Sequence, residues 1–194
     1  MFVELINYTP DPEITVVTAA RTCYKSESDS KDHKLGHRDA KLLKNLIKKG
    51  HHSILEHISF TFRISGVSRA LTHQLVRHRI ASYSQKSQRY VREDGFEYIT
   101  PDTIKTSKYH RRYEALMKEI DNFYNEMIND KIPAEDARYI LPNACCSEIV
   151  VTMNARAWLH FLELREENNA QWEIRKLAKQ IHLKLQNIAP TIFK

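Results

Sequence analysis

Five cations fall within one short polar run, Arg77-His78-Arg79-Ile80-Ala81-Ser82-Tyr83-Ser84-Gln85-Lys86-Ser87-Gln88-Arg89-Tyr90-Val91-Arg92, and no carboxylate occurs between Glu56 and Glu93. The same acid-free stretch also holds Arg63 and Arg69, so its charge exceeds the +6 of the whole chain, with its 30 basic and 24 acidic residues. Everything outside the stretch is slightly acidic. Charge gathered in this way steers and holds anions. Arginine suits that task because its planar fork pairs with phosphate oxygens and never loses its charge. The hydroxyls of Ser82, Ser84 and Ser87 add neutral donors. On charge alone three readings stand: a phosphate site, a groove for single-stranded nucleic acid using Tyr83 and Tyr90 as stacking platforms, and a solvated basic face.

The rest of the sequence narrows how phosphates could be held. The only glycines are Gly36, Gly50, Gly66 and Gly95, so neither a glycine-rich dinucleotide turn nor a P-loop can be written. Side chains must do the holding. Ser87 lies in a cationic setting, but no carboxylate in its stretch can orient a histidine as its base, so hydrogen bonding is expected of it rather than nucleophilic attack. Cys23, Cys145 and Cys146 are odd in number and two are adjacent, a poor basis for disulfides, and no spacing suggests a metal site. None falls in the basic run, which disfavours a thiolate route.

These side chains need elements to position them. His57 to Ser65 alternates apolar and polar residues, with Ile58, Phe60, Phe62 and Ile64 on one face, and predicts a half-buried strand. Met1–Tyr8, Phe96–Thr100 and Ala144–Met153 are expected as further strands. Leu42, Leu43, Leu46 and Ile47 form a helical stripe ended by Gly50; Tyr113, Leu116, Met117, Ile120, Tyr124 and Met127 form a longer one ended near Pro133. Val67, Leu71 and Leu75 predict a helix to Val76, after which the basic run is expected as a loop. Asn154–Arg165, opened by an N-cap residue, and Ala170–Ile188, closed before Pro190, complete the helices. Trp172, at the start of the last, is expected to pack or to meet another subunit. Without regular strand-helix alternation, the fold class predicted is α+β, a single domain (residues 1–194) with a largely antiparallel sheet flanked by helices. No apolar run approaches the ~20 residues of a membrane span, and the N-terminus lacks signal-peptide character, so a soluble, cytoplasmic protein is expected.

The spacing Arg77-His78-Arg79-x-x-Ser82-x-x-x-x-Ser87-x-Arg89 fixes six polar positions over thirteen residues. It resembles the signature of the flavin-dependent thymidylate synthases. Further blocks are similar to that family's: His51-His52-Ser53-Ile54-Leu55-Glu56-His57, Ala137-Arg138-Tyr139-Ile140-Leu141-Pro142, Asn154-Ala155-Arg156, Leu164-Arg165 and Gln171-Trp172-Glu173-Ile174-Arg175.

The resemblance implies an enzyme that methylates dUMP to dTMP without a catalytic cysteine, a homotetramer with FAD at subunit interfaces, and NADPH and 5,10-methylenetetrahydrofolate as co-substrates. It implies no nucleic-acid or membrane partner and no metal. Carried over by position, FAD is expected at His51, Ser53, Arg77, His78, Arg79, Gln85, Asn154, Arg156 and His160. The dUMP site is expected at Gln74, Arg77, Gln85, Lys86, Ser87, Gln88, Arg89, Arg138 and Arg165, with Arg165, His51 and Ser87 at the chemistry. Some positions depart from common family forms: Gln85 stands where some members have glutamate, Lys86 where an apolar residue is common, and His160 and Asn169 also differ.

Overall fold

The computed structural model describes residues 1–194. Strands β1 (Phe2–Tyr8), β2 (Ser59–Ser68), β3 (Ser82–Gln85) and β4 (Cys146–Asn154) form one antiparallel sheet in the order β1-β2-β4-β3. The helices are α1 (Pro12–Tyr24), α2 (His37–Lys48), α3 (Arg69–Leu75), α4 (Asp102–Lys105), α5 (His110–Asn129), α6 (Ala134–Ala137), α7 (Ala155–Arg165) and α8 (Trp172–Ile188). The architecture is α+β, as the irregular succession of patterns predicts. The alternation read in β2 is real: Phe60, Phe62 and Ile64 are fully buried. No helix is long and apolar enough to cross a membrane.

The chain divides into two compact units, between which it passes within each of the four strands and after Val76. One comprises Met1–Phe2, Ile64–Val76 and Ser84–Ile149. Its core is built on α5, whose Met117 packs with Phe96 and Cys145, and whose Tyr124 and Ile128 pack with Ala137. Leu116, included in the sequence stripe, is 48% exposed and lies off the buried face. The other unit comprises Val3–Arg63, Arg77–Tyr83 and Val150–Lys194. Its centre is Trp158, fully buried, with Phe62 and Phe161 meeting it edge to face at 5.1 and 5.4 Å between centroids. The indole N–H donates to the Phe60 carbonyl at 3.2 Å, so the polar edge of this large ring is satisfied inside the core. From α8, Ile174, Leu177, Ile181 and Leu185 are fully buried, each contributing on the order of 1.5–3 kcal/mol of hydrophobic stabilisation.

Two caps set where functional helices begin. The Asn154 side-chain oxygen accepts from the Ala157 N–H at 2.8 Å and opens α7. The Ser68 hydroxyl accepts from the Leu71 N–H at 3.0 Å, so the α3 helix starts at Arg69, later than the expected Val67. Upstream of that cap, Gly66 sits at φ +63° with the Met1 backbone nitrogen 3.2 Å from where a Cβ would be, which lets β2 turn toward the helix.

Two other expectations are corrected. Phe96–Thr100 is not a strand: only Tyr98 bridges Cys145, because Pro101 opens α4 on one side and the facing chain turns at Pro142 on the other. The basic run is not one loop either. It contains the edge strand β3, extended in register by the Lys86 N–H donating to the Glu148 carbonyl at 2.8 Å. Trp172 is 39% exposed at the start of α8.

Candidate active site

In the unit centred on Trp158, the first part of the basic run meets the end of α7. His78 is half-buried, its ring edge-on to Phe161 at 5.1 Å and 6.2 Å from His160. The Arg165 Nε–H donates to His78 Nε2 at 3.0 Å. That bond needs a lone pair on Nε2, which places the imidazole proton on Nδ1. Burial first, then the charges of Arg165 and His160, pull the His78 pKa from 6.5 down to about 4. The ring is therefore neutral at physiological pH. The Tyr83 hydroxyl donates to the His78 carbonyl at 2.7 Å and fixes the backbone of the same turn. Burial pushes that phenol up to about 12, so it stays a donor.

On either side of His78, Arg77 and Arg79 are exposed and have no intramolecular carboxylate partner. Arg165 likewise meets only the neutral histidine. Three guanidinium groups thus keep their full charge in this unit. Arg156, by contrast, pairs with Glu56 at 2.6 Å, tying α7 to the 3-10 turn His52–His57 that carries Ser53. His51 precedes that turn, and both His51 and Ser53 are exposed. His160 is 63% exposed and lies 3.7 Å from Glu163. Asn154 acts as the α7 cap described above, so its side-chain oxygen is already engaged.

The other unit holds the remaining expected residues. Gln74 lies on α3, in the turn before its end at Leu75. The Gln85 amide donates to the Thr72 and Ser147 hydroxyls at 2.9 and 3.0 Å, which orients its carbonyl oxygen away from those partners. Ser87 accepts from the Arg89 N–H through its hydroxyl at 3.3 Å and has no histidine or carboxylate as a base. Its carbonyl accepts from Val91 at 2.9 Å, closing a tight turn. Gln88 is only 8% exposed, and its amide points at the Cys145 sulfur at 3.6 Å, so it offers its backbone rather than its side chain. Arg89 pairs with Glu135 at 3.0 Å and lies over the Tyr90 ring. The Arg138 Nε–H donates to the Glu135 carbonyl at 3.0 Å.

A stretch without carboxylates in sequence is thus not without carboxylates in space. Glu135 reaches Arg89, and Glu93 reaches Lys86 at 2.8 Å. Neither contact is readable from spacing: Glu135 is 46 residues from Arg89 in the chain. Tyr83, five residues after His78, is a positioning residue that the motif also gave no reason to single out. The thiol of Cys145 is fully buried and pushed up to about 11, mainly by burial and then by the nearby Glu93 charge. No group of three or more His, Cys, Asp or Glu side chains is placed to hold a metal ion.

A neutral histidine bonded to an uncompensated arginine, beside two exposed arginines, is an arrangement suited to anions. Comparison with known proteins makes the class specific. A family model described as thymidylate synthase complementing protein matches residues 4–191. A protein of Geobacter sulfurreducens named flavin-dependent thymidylate synthase is 48% identical over 199 residues, spanning 100% of this chain and 86% of its own length. Proteins of the same name from Clostridium tetani (41% identical, 99% of this chain, 85% of its own) and Pyrococcus furiosus (45%, 91% and 75%) are also similar. The chain belongs to the flavin-dependent thymidylate synthase family.

The depressed pKa of His78 carries a stability prediction. Because the folded state favours the neutral ring, the His78 contribution is complete above pH 6.5 and is lost as pH falls toward about 4. Urea titrations of the wild type and His78→Gln at a series of pH values should show the difference between them shrinking across that window; a constant difference contradicts the neutral, buried ring.

Proposed function

We propose that this protein is an FAD-dependent thymidylate synthase that methylates dUMP to dTMP, with 5,10-methylenetetrahydrofolate as one-carbon donor and NADPH as reductant. The observation that carries the reading is the set of arginines left without carboxylates, Arg77, Arg79 and Arg165, around a histidine held neutral. The donor set fits FAD: exposed guanidinium groups for a pyrophosphate, and exposed His51 and Ser53 with the His78 turn for polar edges. Arg77, Arg79, His51, Ser53 and Arg156 would hold it. When bound, and reduced by NADPH, FAD supplies the hydride that completes the methyl group.

The protein's own part is binding, orientation and charge. Arg165, fixed by His78, presents a cation that favours negative charge developing on the uracil ring. Because its partner is neutral, none of that charge is cancelled. Arg89, Arg138 and the hydroxyl and backbone N–H groups of Ser87 and Gln88 hold the nucleotide phosphate, with Gln74 and Gln85 at the same nucleotide.

Phosphate must first displace Glu135 from Arg89. That pair is half-exposed on both sides, at 51 and 48%, and such pairs contribute about 0–1 kcal/mol. A charge-assisted bond to phosphate, at about 1.5–3 kcal/mol, wins. The Cys145 thiol is not poised to activate uracil, since it is buried and protonated. We further propose a cytoplasmic homotetramer with FAD at subunit interfaces, carrying no nucleic-acid or membrane function.

Formation of dTMP should require all four reactants, FAD, NADPH, dUMP and methylenetetrahydrofolate, and should vanish when any one is omitted. Turnover without the flavin, or none with the full set, contradicts the reading. Arg89→Ala should weaken dUMP binding by about 1.5–3 kcal/mol, roughly 10- to 150-fold. Isothermal titration reads this directly, and an unchanged affinity removes Arg89 from the phosphate site.

A further inference from the structure

Residues 86 to 95 form a loop whose tip carries the expected nucleotide contacts and whose two ends are fastened differently. At the first end, the Lys86 N–H is tied to the Glu148 carbonyl of β4 at 2.8 Å. At the second, the Glu93 N–H donates to the hydroxyl of Tyr124, which is fully buried on α5, at 3.3 Å, and the Gly95 N–H donates to Asp121 at 2.9 Å. Between these anchors the Lys86 ammonium meets the Glu93 carboxylate at 2.8 Å. The Glu93 side chain is 5% exposed and the Lys86 side chain 32%; the second Glu93 oxygen is buried with no partner. A carboxylate so placed is tolerable only while its cation remains, because an isolated buried charge is costly.

We propose that the Lys86–Glu93 ion pair is a clip that closes this loop and presents Ser87, Gln88 and Arg89, making both residues positioning residues rather than ligand contacts. The importance of this shape for nucleotide binding rests on the proposed function. The Lys86 ammonium is engaged inward, so it does not reach for phosphate. The Lys86 charge, two-thirds buried, calls for the carboxylate that Glu93 supplies. An apolar pair could close the same loop, since well-packed hydrophobic side chains replace buried ion pairs with little loss.

The test compares Lys86→Met with the double variant Lys86→Met/Glu93→Leu. In the single variant the amides of Arg89, Val91 and Glu93 should exchange with solvent about tenfold faster or more, because the clip is broken and a charge is stranded. The KM for dUMP should rise about tenfold while kcat at saturating dUMP holds, as expected for lost positioning without lost chemistry. The double variant should return both readouts toward the wild type. Unchanged exchange in the single variant overturns the clip; so does a KM defect that persists in the double variant, which would mean that Lys86 touches the nucleotide itself. Should Lys86→Met not fold, Glu93→Gln, which keeps the shape and removes the charge, should speed exchange at the same three amides, and unchanged exchange there overturns the proposal equally. Hydrogen exchange needs no substrate, so absence of dTMP formation in the wild type would contradict the function and leave the exchange result to decide the clip.

Discussion

The bond from Arg165 to His78 works only while the imidazole is neutral. A protonated ring would have no lone pair for the guanidinium and would place two cations 3.0 Å apart. Burial against Phe161 enforces neutrality, and the Tyr83 hydroxyl holds the backbone that carries the ring. The same arrangement fixes Arg165 at the last turn of α7, where a cation also complements the helix dipole. One neutral ring therefore does two things: it orients an arginine and leaves its charge intact. A carboxylate in its place would orient the arginine as well but cancel its charge.

The cations around His78 and those at the far end of the basic run are treated differently. Around His78 the arginines stay without carboxylates, whereas Arg89 and Lys86 are matched by Glu135 and Glu93. The exposed Arg89 pair is weak enough to be exchanged for a phosphate, while the more buried Lys86 pair is suited to a permanent structural contact. Burial thus separates a cation available to ligand from a cation engaged in shape.

What the sequence made legible follows from which physical signals are local. Strand β2 could be read because Phe60, Phe62 and Ile64 alternate with polar residues and are all buried. Strand β3 has the same period, with Tyr83 and Gln85 half-buried between exposed Ser82 and Ser84, but its residues are mostly polar and hydrophobic patterning does not register them. Helix α1 escaped notice for a related reason: its residues Ile14-Thr15-Val16-Val17-Thr18 are β-branched, and Asp11 at its start adopts a left-handed conformation without a side-chain cap. The motif positions from Arg77 to Arg89 were visible as spacing. Their partners were not, because Glu56 and Arg156 lie 100 residues apart and Glu135 approaches Arg89 only through the fold.

In the proposed function the protein contributes charge and orientation while the reducing equivalent comes from the flavin rather than from the folate. If the hydride that completes the methyl group comes from reduced FAD, the folate gives up only its one-carbon unit and leaves without being oxidised. The folate product of a complete reaction mixture distinguishes the two cases most directly. Tetrahydrofolate should form in step with dTMP; dihydrofolate in its place would overturn the flavin as hydride source.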